Sequence, residues 1–117
     1  MARLERHPAI SLRVVLRKGS AFGPGKAELL EHIRDTGSIA AAGRRMKMSY
    51  TRAWGLVEAM NHDFAAPLVR SAKGGAGRGG AVLTELGAEV LQRYRRIQAA
   101  STRAAAAQLH ALRRRLR

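Results

Sequence analysis

The residues of this sequence that could do chemistry are cations, and they are grouped around two short helical segments. The stretch between Asp35 and Glu58 has no acidic residue, and its cations are Arg44, Arg45, Lys47 and Arg52. Guanidinium and ammonium groups bind phosphate oxygens, and arginine also forms bidentate hydrogen bonds with guanine. The chemistry that this grouping favours is therefore recognition of a polyanion.

Residues with other chemical uses lack the spacing that those uses need. The histidines are scattered and none has a metal-ligand spacing: His7, His32, His62 and His110. The chain has no cysteine, which excludes disulfides, thiolate catalysis and cysteine-based zinc sites. We therefore predict that the protein is not an enzyme and that it needs no cofactor.

Two glycine motifs that resemble nucleotide-binding loops fail for positional reasons. The GPGK run at 23–26 has Ser20 where a phosphate-binding loop requires glycine, and Ala27 where it requires serine or threonine. The GxGxxG match at 75–80 leads into a predicted strand, whereas the dinucleotide motif must open a helix. Neither segment predicts a nucleotide site.

Two serine-capped helices would position the cations. Ser38 precedes a helical segment at 39–45, and Ser49 precedes a second one at 50–61. Serine at these positions accepts a hydrogen bond from a free backbone amide in the first turn of a helix. The two capped helices are joined by a short turn and are basic where they meet. This pattern predicts a helix-turn-helix whose second helix binds DNA.

The apolar positions of the second helix predict which side of it faces the core. Four of them recur at helical spacing, namely Ala53, Trp54, Val57 and Met60. The opposite side of this helix carries short side chains near its N-terminus, which close approach to base edges requires. The residues predicted to contact bases are Ser49, Thr51 and Arg52. Those predicted to lie on phosphates are Tyr50 and Lys47.

A glycine-rich basic segment follows the two helices. Short β-type runs at 67–72 and 80–84 flank KGGAGRGG at 73–80, and no acid lies between Asp63 and Glu85. This pattern predicts a hairpin that acts as a wing on the DNA backbone, with a solvated loop of incidental charge as the alternative. The complete set of predicted DNA-binding residues is Ser38, Arg44, Lys47, Ser49, Tyr50, Thr51, Arg52, Arg70, Lys73 and Arg78.

The last part of the chain predicts one long helix. Thr84 would cap it, and no glycine or proline interrupts the sequence after Gly87. At 1.5 Å per residue a helix of about 30 residues is about 50 Å long, so it projects beyond a small domain. A second copy of the helix is the expected partner for its apolar stripe, and the arginines of 113–117 would contact DNA, bind another anion or fray. The predicted dimerisation residues are Leu86, Val90, Tyr94, Ile97, Ser101, Ala105, Leu109 and Leu112.

A strand, a loop and a helix are predicted before the helix-turn-helix. Alternation in SLRVVLR predicts a strand over 11–17 with one buried face. Three glycines and a proline predict a loop over 18–25. Leu29, Leu30 and Ile33 lie on one face of a predicted helix over 26–36.

Length, charge and hydropathy limit the class of protein. At 117 residues the chain is one domain with at most an extension, and 46% hydrophobic residues suffice for a core. The 22 basic residues outnumber the 8 acidic ones, and the net charge of +14 favours a polyanionic partner. No apolar run approaches the roughly 20 residues that span a bilayer, and no signal-peptide pattern opens the chain. A cytoplasmic protein without a membrane partner is expected.

Several motifs of the chain belong to one pattern. They are Gly37-Ser38-Ile39, Met48-Ser49-Tyr50 with Ala53-Trp54, Glu58-Ala59-Met60-Asn61, GGAGRGGAVLT at 74–84, and Gly87. Together they resemble the N-terminal DNA-binding domain of the ModE-type molybdate-responsive transcription regulators, over residues 12–94. The resemblance implies a winged helix-turn-helix that binds a palindromic operator as a homodimer. It further implies that helix 49–61 lies in the major groove, wing 70–81 on the backbone, and the long last helix in the dimer interface.

The sequence departs from that family at its end. Full-length members continue into a C-terminal molybdate-binding region, whereas this sequence ends at Arg117. Molybdate binding is therefore not expected in this chain, which is either a stand-alone member or a fragment.

The predicted fold class is mainly α with a small β wing. A winged helix-turn-helix DNA-binding domain is expected at 9–83, followed by a C-terminal dimerisation helix with a basic tail at 84–117. The expected function is sequence-specific transcription regulation on double-stranded DNA in a bacterium. The alternative is an architectural protein that binds DNA without regard to sequence.

Overall fold

A computed structural model of the chain describes residues 9–72 and 79–117. The helices in these ranges are α1 (Pro24–Thr36), α2 (Ile39–Arg45), α3 (Tyr50–Asp63), α4 (Glu85–Ala104) and α5 (Ala106–Arg113). The strands form two antiparallel hairpins, β1 (Val14–Arg17) with β2 (Ser20–Phe22) and β3 (Val69–Ala72) with β4 (Gly80–Leu83). The mainly helical winged helix-turn-helix predicted from the sequence is confirmed, and the β3–β4 hairpin is its wing.

The core lies between α1 and the elements packed around it. Leu29, Leu30 and Ile33 of α1 are fully buried, as their spacing predicted. They share one hydrophobic cluster with residues of α3 and α4 such as Val57 and Leu91. Burying a leucine side chain stabilises a fold by about 1.5–3 kcal/mol. The helix-turn-helix, the wing and α4 are therefore held together through α1.

Two helix bounds differ from the predicted ones. The first helix begins at Pro24, two positions before the predicted start at Lys26, because proline has no N–H to satisfy and its fixed φ suits the first turn. The third helix continues to Asp63, two residues past its predicted end at Asn61.

The amino-terminal strand belongs to a hairpin that the sequence did not predict. β2 lies inside the predicted loop 18–25, because Gly19 at φ 82° reverses the chain and lets β2 pair with β1. Phe22 of β2 is buried, and its ring meets the Tyr94 ring edge-on with centroids 5.3 Å apart. The buried face of β1 is narrower than the alternation predicted, since Leu16 is 49% exposed.

Gly37 ends α1 and also holds the wing. It has φ 71°, a left-handed conformation that glycine adopts without steric cost, and its N–H donates to the Ile33 carbonyl at 2.8 Å. The carbonyl oxygen of Gly37 accepts a hydrogen bond from the Ala81 N–H of β4 at 2.9 Å. The predicted helix cap is therefore also the point where the wing attaches to α1.

The start of α4 is packed against the backbone before β3. Thr84 caps α4 by accepting a hydrogen bond from the Gly87 N–H at 2.9 Å, and its hydroxyl donates to the Pro67 carbonyl at 2.7 Å. The Thr84 N–H donates to the Leu68 carbonyl at 2.9 Å. A β-carbon at Gly87 would come within 3.0 Å of the Leu68 carbonyl carbon. Glycine at this position lets the helix cross the backbone at close range.

The predicted continuous last helix is interrupted once. α4 ends at Ala104 and α5 begins at Ala106, with Ala105 between them at φ −93° and ψ 1°. The Ala105 N–H still donates to the Ser101 carbonyl and the Leu109 N–H to the Ala105 carbonyl, at 3.0 and 2.9 Å. The residue types around Ala105 give no reason for the interruption. α5 buries none of its residues, and the molecule measures 54 × 28 × 22 Å.

Candidate nucleic-acid interface

The turn between α2 and α3 is a Schellman motif with a lysine in the position that glycine usually occupies. The Met48 N–H donates to the Gly43 carbonyl and the Lys47 N–H to the Arg44 carbonyl, both at 3.0 Å. Lys47 has φ 58°, and among the described residues it is the one non-glycine with a positive φ. A left-handed backbone at an L-residue costs about 1–2 kcal/mol. The turn therefore holds an exposed cation at an energetic cost to the fold.

The two helices of the motif approach closely behind this turn. Gly43 of α2 is buried, and a β-carbon there would lie 3.1 Å from the β-carbon of Ala53 in α3. A small residue on each helix lets the two backbones pack together and fixes the angle between them. The sequence did not single out either residue for this contact.

The predicted serine caps are confirmed. The Ser38 hydroxyl accepts a hydrogen bond from the Ala41 N–H at 3.0 Å, and the Ser49 hydroxyl accepts one from the Arg52 N–H at 3.1 Å. Ser38 is half-buried, whereas Ser49 is exposed at the start of α3. Each hydroxyl keeps its own proton for donation, so capping does not prevent Ser49 from binding a further acceptor.

The rotation of α3 about its axis is set by the side chains that it buries. Ala53, Val57 and Met60 are at most 3% exposed. The predicted inward orientation of Trp54 is wrong, because this residue is 47% exposed. One residue further along a helix is a rotation of about 100°, so burial of Ala53 carries Trp54 onto the flank of the helix. It lies there one turn beyond Tyr50, which is 56% exposed.

The outward side of α3 carries the other residues predicted to contact bases. Thr51 and Arg52 are exposed at its first turn, and Gly55 follows on the same side. A β-carbon at Gly55 would meet no atom of the described chain within 4 Å. This side of α3 therefore presents short side chains with one arginine beside them.

The cations around this surface are free of ion pairs within the described chain. Arg44, Arg45, Lys47 and Arg52 are all exposed. The three ion pairs found in residues 9–72 and 79–117 involve acids of α1 and α4 and the arginines next to them. The positive charge of α2, the turn and α3 is therefore not neutralised by those acids.

The wing is fixed to α3 by Asn61, a residue that the sequence placed in the family pattern but to which it gave no role. The Asn61 Oδ1 accepts hydrogen bonds from the Leu68 N–H at 2.8 Å and the Val69 N–H at 3.1 Å. The Asn61 Nδ2 donates to the Val69 carbonyl at 3.1 Å. Leu68 and Val69 are buried, so the side chain satisfies backbone groups that water does not reach freely. The available signal was a polar residue near the end of an amphipathic helix, eight residues before the strand that begins at Val69.

The predicted wing cations fall partly outside the described residues. Arg70 is exposed on β3, and its Nη1 donates to the Ser71 carbonyl at 3.3 Å. Lys73 and Arg78 lie outside residues 9–72 and 79–117. β3 and β4 pair over Val69–Leu83 to Ala72–Gly80, so the hairpin predicted from the flanking β-type runs is confirmed.

The predicted dimerisation stripe divides into a buried and an exposed part. Tyr94 is 3% exposed and belongs to the core of its own chain, where its hydroxyl donates to the Leu12 carbonyl at 2.7 Å. Burial raises the pKa of that hydroxyl above its ordinary value, and the nearby Arg95 opposes the rise. Leu86 and Val90 also pack partly against the core. Tyr94 is thus not available to a second chain. The helix position that was predicted to face a partner faces α1 and β2 of the same chain.

The rest of the stripe is accessible. Ile97 is 44% exposed and Leu112 is 66% exposed, while Ser101, Ala105 and Leu109 are half-buried. Beside Ile97 lies an apolar groove of about 200 Å³, whose lining includes Leu16, Phe64 and Val90. Apolar area at α4 therefore continues onto the amino-terminal hairpin.

Across 9–72 and 79–117, no three histidine, aspartate or glutamate side chains come together as metal ligands. None of the helices in those ranges has both the length and the apolar composition that a membrane span requires.

The chain is similar to a molybdenum-pterin-binding protein and to ModE transcriptional regulators. No protein-family model matches it. The molybdenum-pterin-binding protein MopB of Rhodobacter capsulatus is 45% identical over 86 residues, which are 74% of this chain and 32% of that protein. The transcriptional regulator ModE of Haemophilus influenzae is 35% identical over 76% of this chain and 35% of its own length. The DNA-binding transcriptional dual regulator ModE of Escherichia coli is 38% identical over 73% of this chain and 32% of its own length.

This chain thus spans about one third of the length of the relatives that it matches. Among solved structures, the DNA-binding domain of CbnR, crystallised in complex with DNA, superposes with a TM-score of 0.57. That superposition covers 75% of this chain and 95% of the CbnR chain at 22% sequence identity. The likeness shows a shared fold.

Proposed function

Since the chain belongs to the ModE-type regulators over the roughly three quarters of its length that it shares with them, we propose that it is a sequence-specific DNA-binding transcription regulator. In this proposal α3 lies in the major groove and the wing lies on the phosphate backbone. The protein would act on DNA inside the cell, which agrees with the predicted cytoplasmic location. DNA is the partner proposed for this domain.

The orientation of α3 is the observation that carries this proposal. Ala53, Val57 and Met60 fill the core and leave Thr51 and Arg52 exposed at the first turn. A recognition helix contacts base edges mainly with its N-terminal residues. The exposed cations on α2 and the turn lie next to that end of the helix in the sequence, where phosphates flank the groove.

The wing adds a second contact in this proposal. Asn61 ties the start of β3 to the end of α3, and Gly37 ties β4 to the end of α1. The two hairpin strands are therefore fixed relative to the helix-turn-helix. Arg70 on β3, together with Lys73 and Arg78, would neutralise phosphates beside the groove.

We propose that the protein acts as a homodimer on a palindromic operator. The support is the exposed Ile97 on α4, which lines the same groove as Leu16, together with the exposed Leu112 on α5. Exposed leucine and isoleucine along a projecting helix is the usual signature of helix pairing. A symmetric dimer would place two α3 helices in successive major grooves, about 34–36 Å apart.

In vitro selection of bound DNA at physiological salt tests the proposal as a whole. A dimeric regulator should return two inverted half-sites with centres 10–10.5 base pairs apart, or a multiple of that spacing. Competition with bulk genomic DNA should then show a preference of at least about 10³ for the selected site. Binding without such a preference would replace the proposal with the architectural alternative, which the net charge of +14 also allows.

Arg52→Ala is expected to relax the base preference at one position of each half-site. An arginine–guanine contact contributes about 1–3 kcal/mol of discrimination against other bases. Fluorescence anisotropy with single-base variants of the selected site would measure the loss. An unchanged ratio between operator and scrambled DNA would contradict the role of Arg52.

Lys73→Ala is the matched control for that experiment. A phosphate contact carries no base information, so this variant should weaken binding to all sequences alike. The slope of log affinity against log salt concentration should decrease by about one.

Lys47→Gly is expected to change stability and DNA affinity in opposite directions. Glycine removes the steric cost of the left-handed turn, so the free energy of unfolding should rise by about 1 kcal/mol. Loss of the charge should weaken binding to operator and scrambled DNA equally, as expected for a phosphate contact. Urea denaturation and anisotropy titrations measure the two effects.

Lys47→Asn serves as the control, because asparagine also tolerates a left-handed backbone but is uncharged. It should lose as much DNA affinity as the glycine variant. If both variants bound DNA as well as the unmodified chain, Lys47 would have no contact with the backbone.

A further inference from the structure

We propose that Trp54, with Tyr50 beside it, contacts the 5-methyl group of a thymine in the major groove. Each operator half-site would then contain a thymine at the position that α3 presents to these two rings. The inference rests on the proposed function, because it assigns a base to a residue of the recognition helix.

The two rings form one exposed apolar surface. Tyr50 and Trp54 are four residues apart on α3, and side chains at that spacing are neighbours on a helix. They are 56% and 47% exposed, and neither belongs to the hydrophobic cluster or to the side chains packed against it. About half of the surface of each ring is therefore open to a partner.

The surroundings of this surface favour DNA as that partner. Thr51 and Arg52 follow Tyr50 directly along α3, and Lys47 precedes it in the turn. All three are exposed, and no acid lies between Asp35 and Glu58, the exposed residue one turn beyond Trp54. A membrane interior or an apolar protein surface would have to desolvate these cations, whereas a groove between phosphate rows neutralises them.

The chemistry of the groove then selects the base. The floor of the major groove presents hydrogen-bond donors and acceptors, and its one apolar group is the 5-methyl of thymine. An aromatic ring over a polar base edge would remove that edge from water without replacing its hydrogen bonds. A ring over the methyl group covers apolar area on both partners, which is favourable. The deoxyribose is also apolar in part, but a contact with it would not depend on the base.

Replacement of thymine by deoxyuridine separates these two contacts, because it removes the methyl group and leaves the backbone unchanged. The experiment uses the 117-residue chain and the site obtained by selection, with each thymine of a half-site replaced in turn. Removal of one buried methyl-sized group should weaken binding by about fourfold at one thymine per half-site. Trp54→Ala should bind the thymine and deoxyuridine sites equally, and Trp54→Phe should retain part of the difference.

The outcomes distinguish this inference from the proposed function. The inference would be overturned if no thymine replacement weakened binding, if Trp54→Ala kept the full fourfold effect, or if the selected site had no thymine. In each of those cases a site that is still preferred over genomic DNA leaves the proposed function standing. Absence of any preferred site would overturn both. Circular dichroism should show that Trp54→Ala keeps the helical spectrum of the unmodified chain at the temperature of the binding assay, since Trp54 is outside the hydrophobic cluster.

Discussion

Gly87→Ala is expected to lower the free energy of unfolding by about 3 kcal/mol, at the upper end of the usual cost of overpacking. The new β-carbon would lie 3.0 Å from the carbonyl carbon of Leu68 and 3.2 Å from its α-carbon, and closer still to its oxygen. These are backbone atoms, so no side chain can rotate away. The start of α4 would have to move away from the Leu68 backbone, which breaks the hydrogen bond from the Thr84 N–H to the Leu68 carbonyl. Urea denaturation followed by circular dichroism measures the loss.

Gly55→Ala is the matched control, since it also places alanine at a glycine inside a helix. A β-carbon at Gly55 meets open space, so only the better helix propensity of alanine operates. The expected result is a gain of about 0.5–1 kcal/mol. If Gly87→Ala were as stable as the unmodified chain, the close crossing of α4 over the Leu68 backbone would be wrong.

Asn61→Ala is expected to cost about 3 kcal/mol and to weaken DNA binding as well. The substitution leaves two N–H groups and one carbonyl of Leu68 and Val69 without their partner. An unsatisfied buried group costs about 1–3 kcal/mol, and entry of water through the half-buried site would offset part of the sum. Loss of this contact also frees the start of β3 from α3, so the wing should contribute less to affinity. Denaturation and anisotropy titrations on the same preparation measure both effects.

His62→Ala is the control, because it removes an exposed side chain from the next position of α3. It should change the free energy of unfolding by no more than about 0.5 kcal/mol. Asn61→Asp keeps an acceptor for both N–H groups but loses the donor to the Val69 carbonyl, so its stability should fall between the other two. Equal stability of Asn61→Ala and His62→Ala would show that the three hydrogen bonds do not hold the wing.

The helix-turn-helix could be predicted because its signals are local. A serine before each helix, and Gly37 after the first, act on backbone groups only a few residues away, so their roles follow from the sequence alone. The wing hairpin and the cap at Thr84 are local in the same sense. The hairpin β1–β2 was missed because glycine and proline in a short segment are typical of a loop as well as of a tight reversal. Gly19 and Phe22 form the hairpin only because Phe22 has a core to enter.

The errors in the candidate site have one cause. Apolar spacing predicts which residues share a helix face, but it does not give the rotation of that face relative to the core. Trp54 fitted the apolar stripe of α3 as well as its neighbours did, and the structure leaves it exposed. Tyr94 fitted the stripe of the last helix, and the structure buries it against Phe22.

The sequence by itself therefore determined the order of the helices and of the wing, the serine and threonine caps, Gly37 after α1 and the basic surface. Each of these depends on residue type and on contacts within a few positions. Only the tertiary structure decided which aromatic ring faces outward, which residue ties the wing to α3, and where Gly87 is indispensable. Those features depend on distances between segments that are remote in the sequence, as between Tyr94 and Leu12. The cations of 44–52 are exposed in the structure, and the packing of Ala53 into the core leaves Trp54 exposed on the same helix.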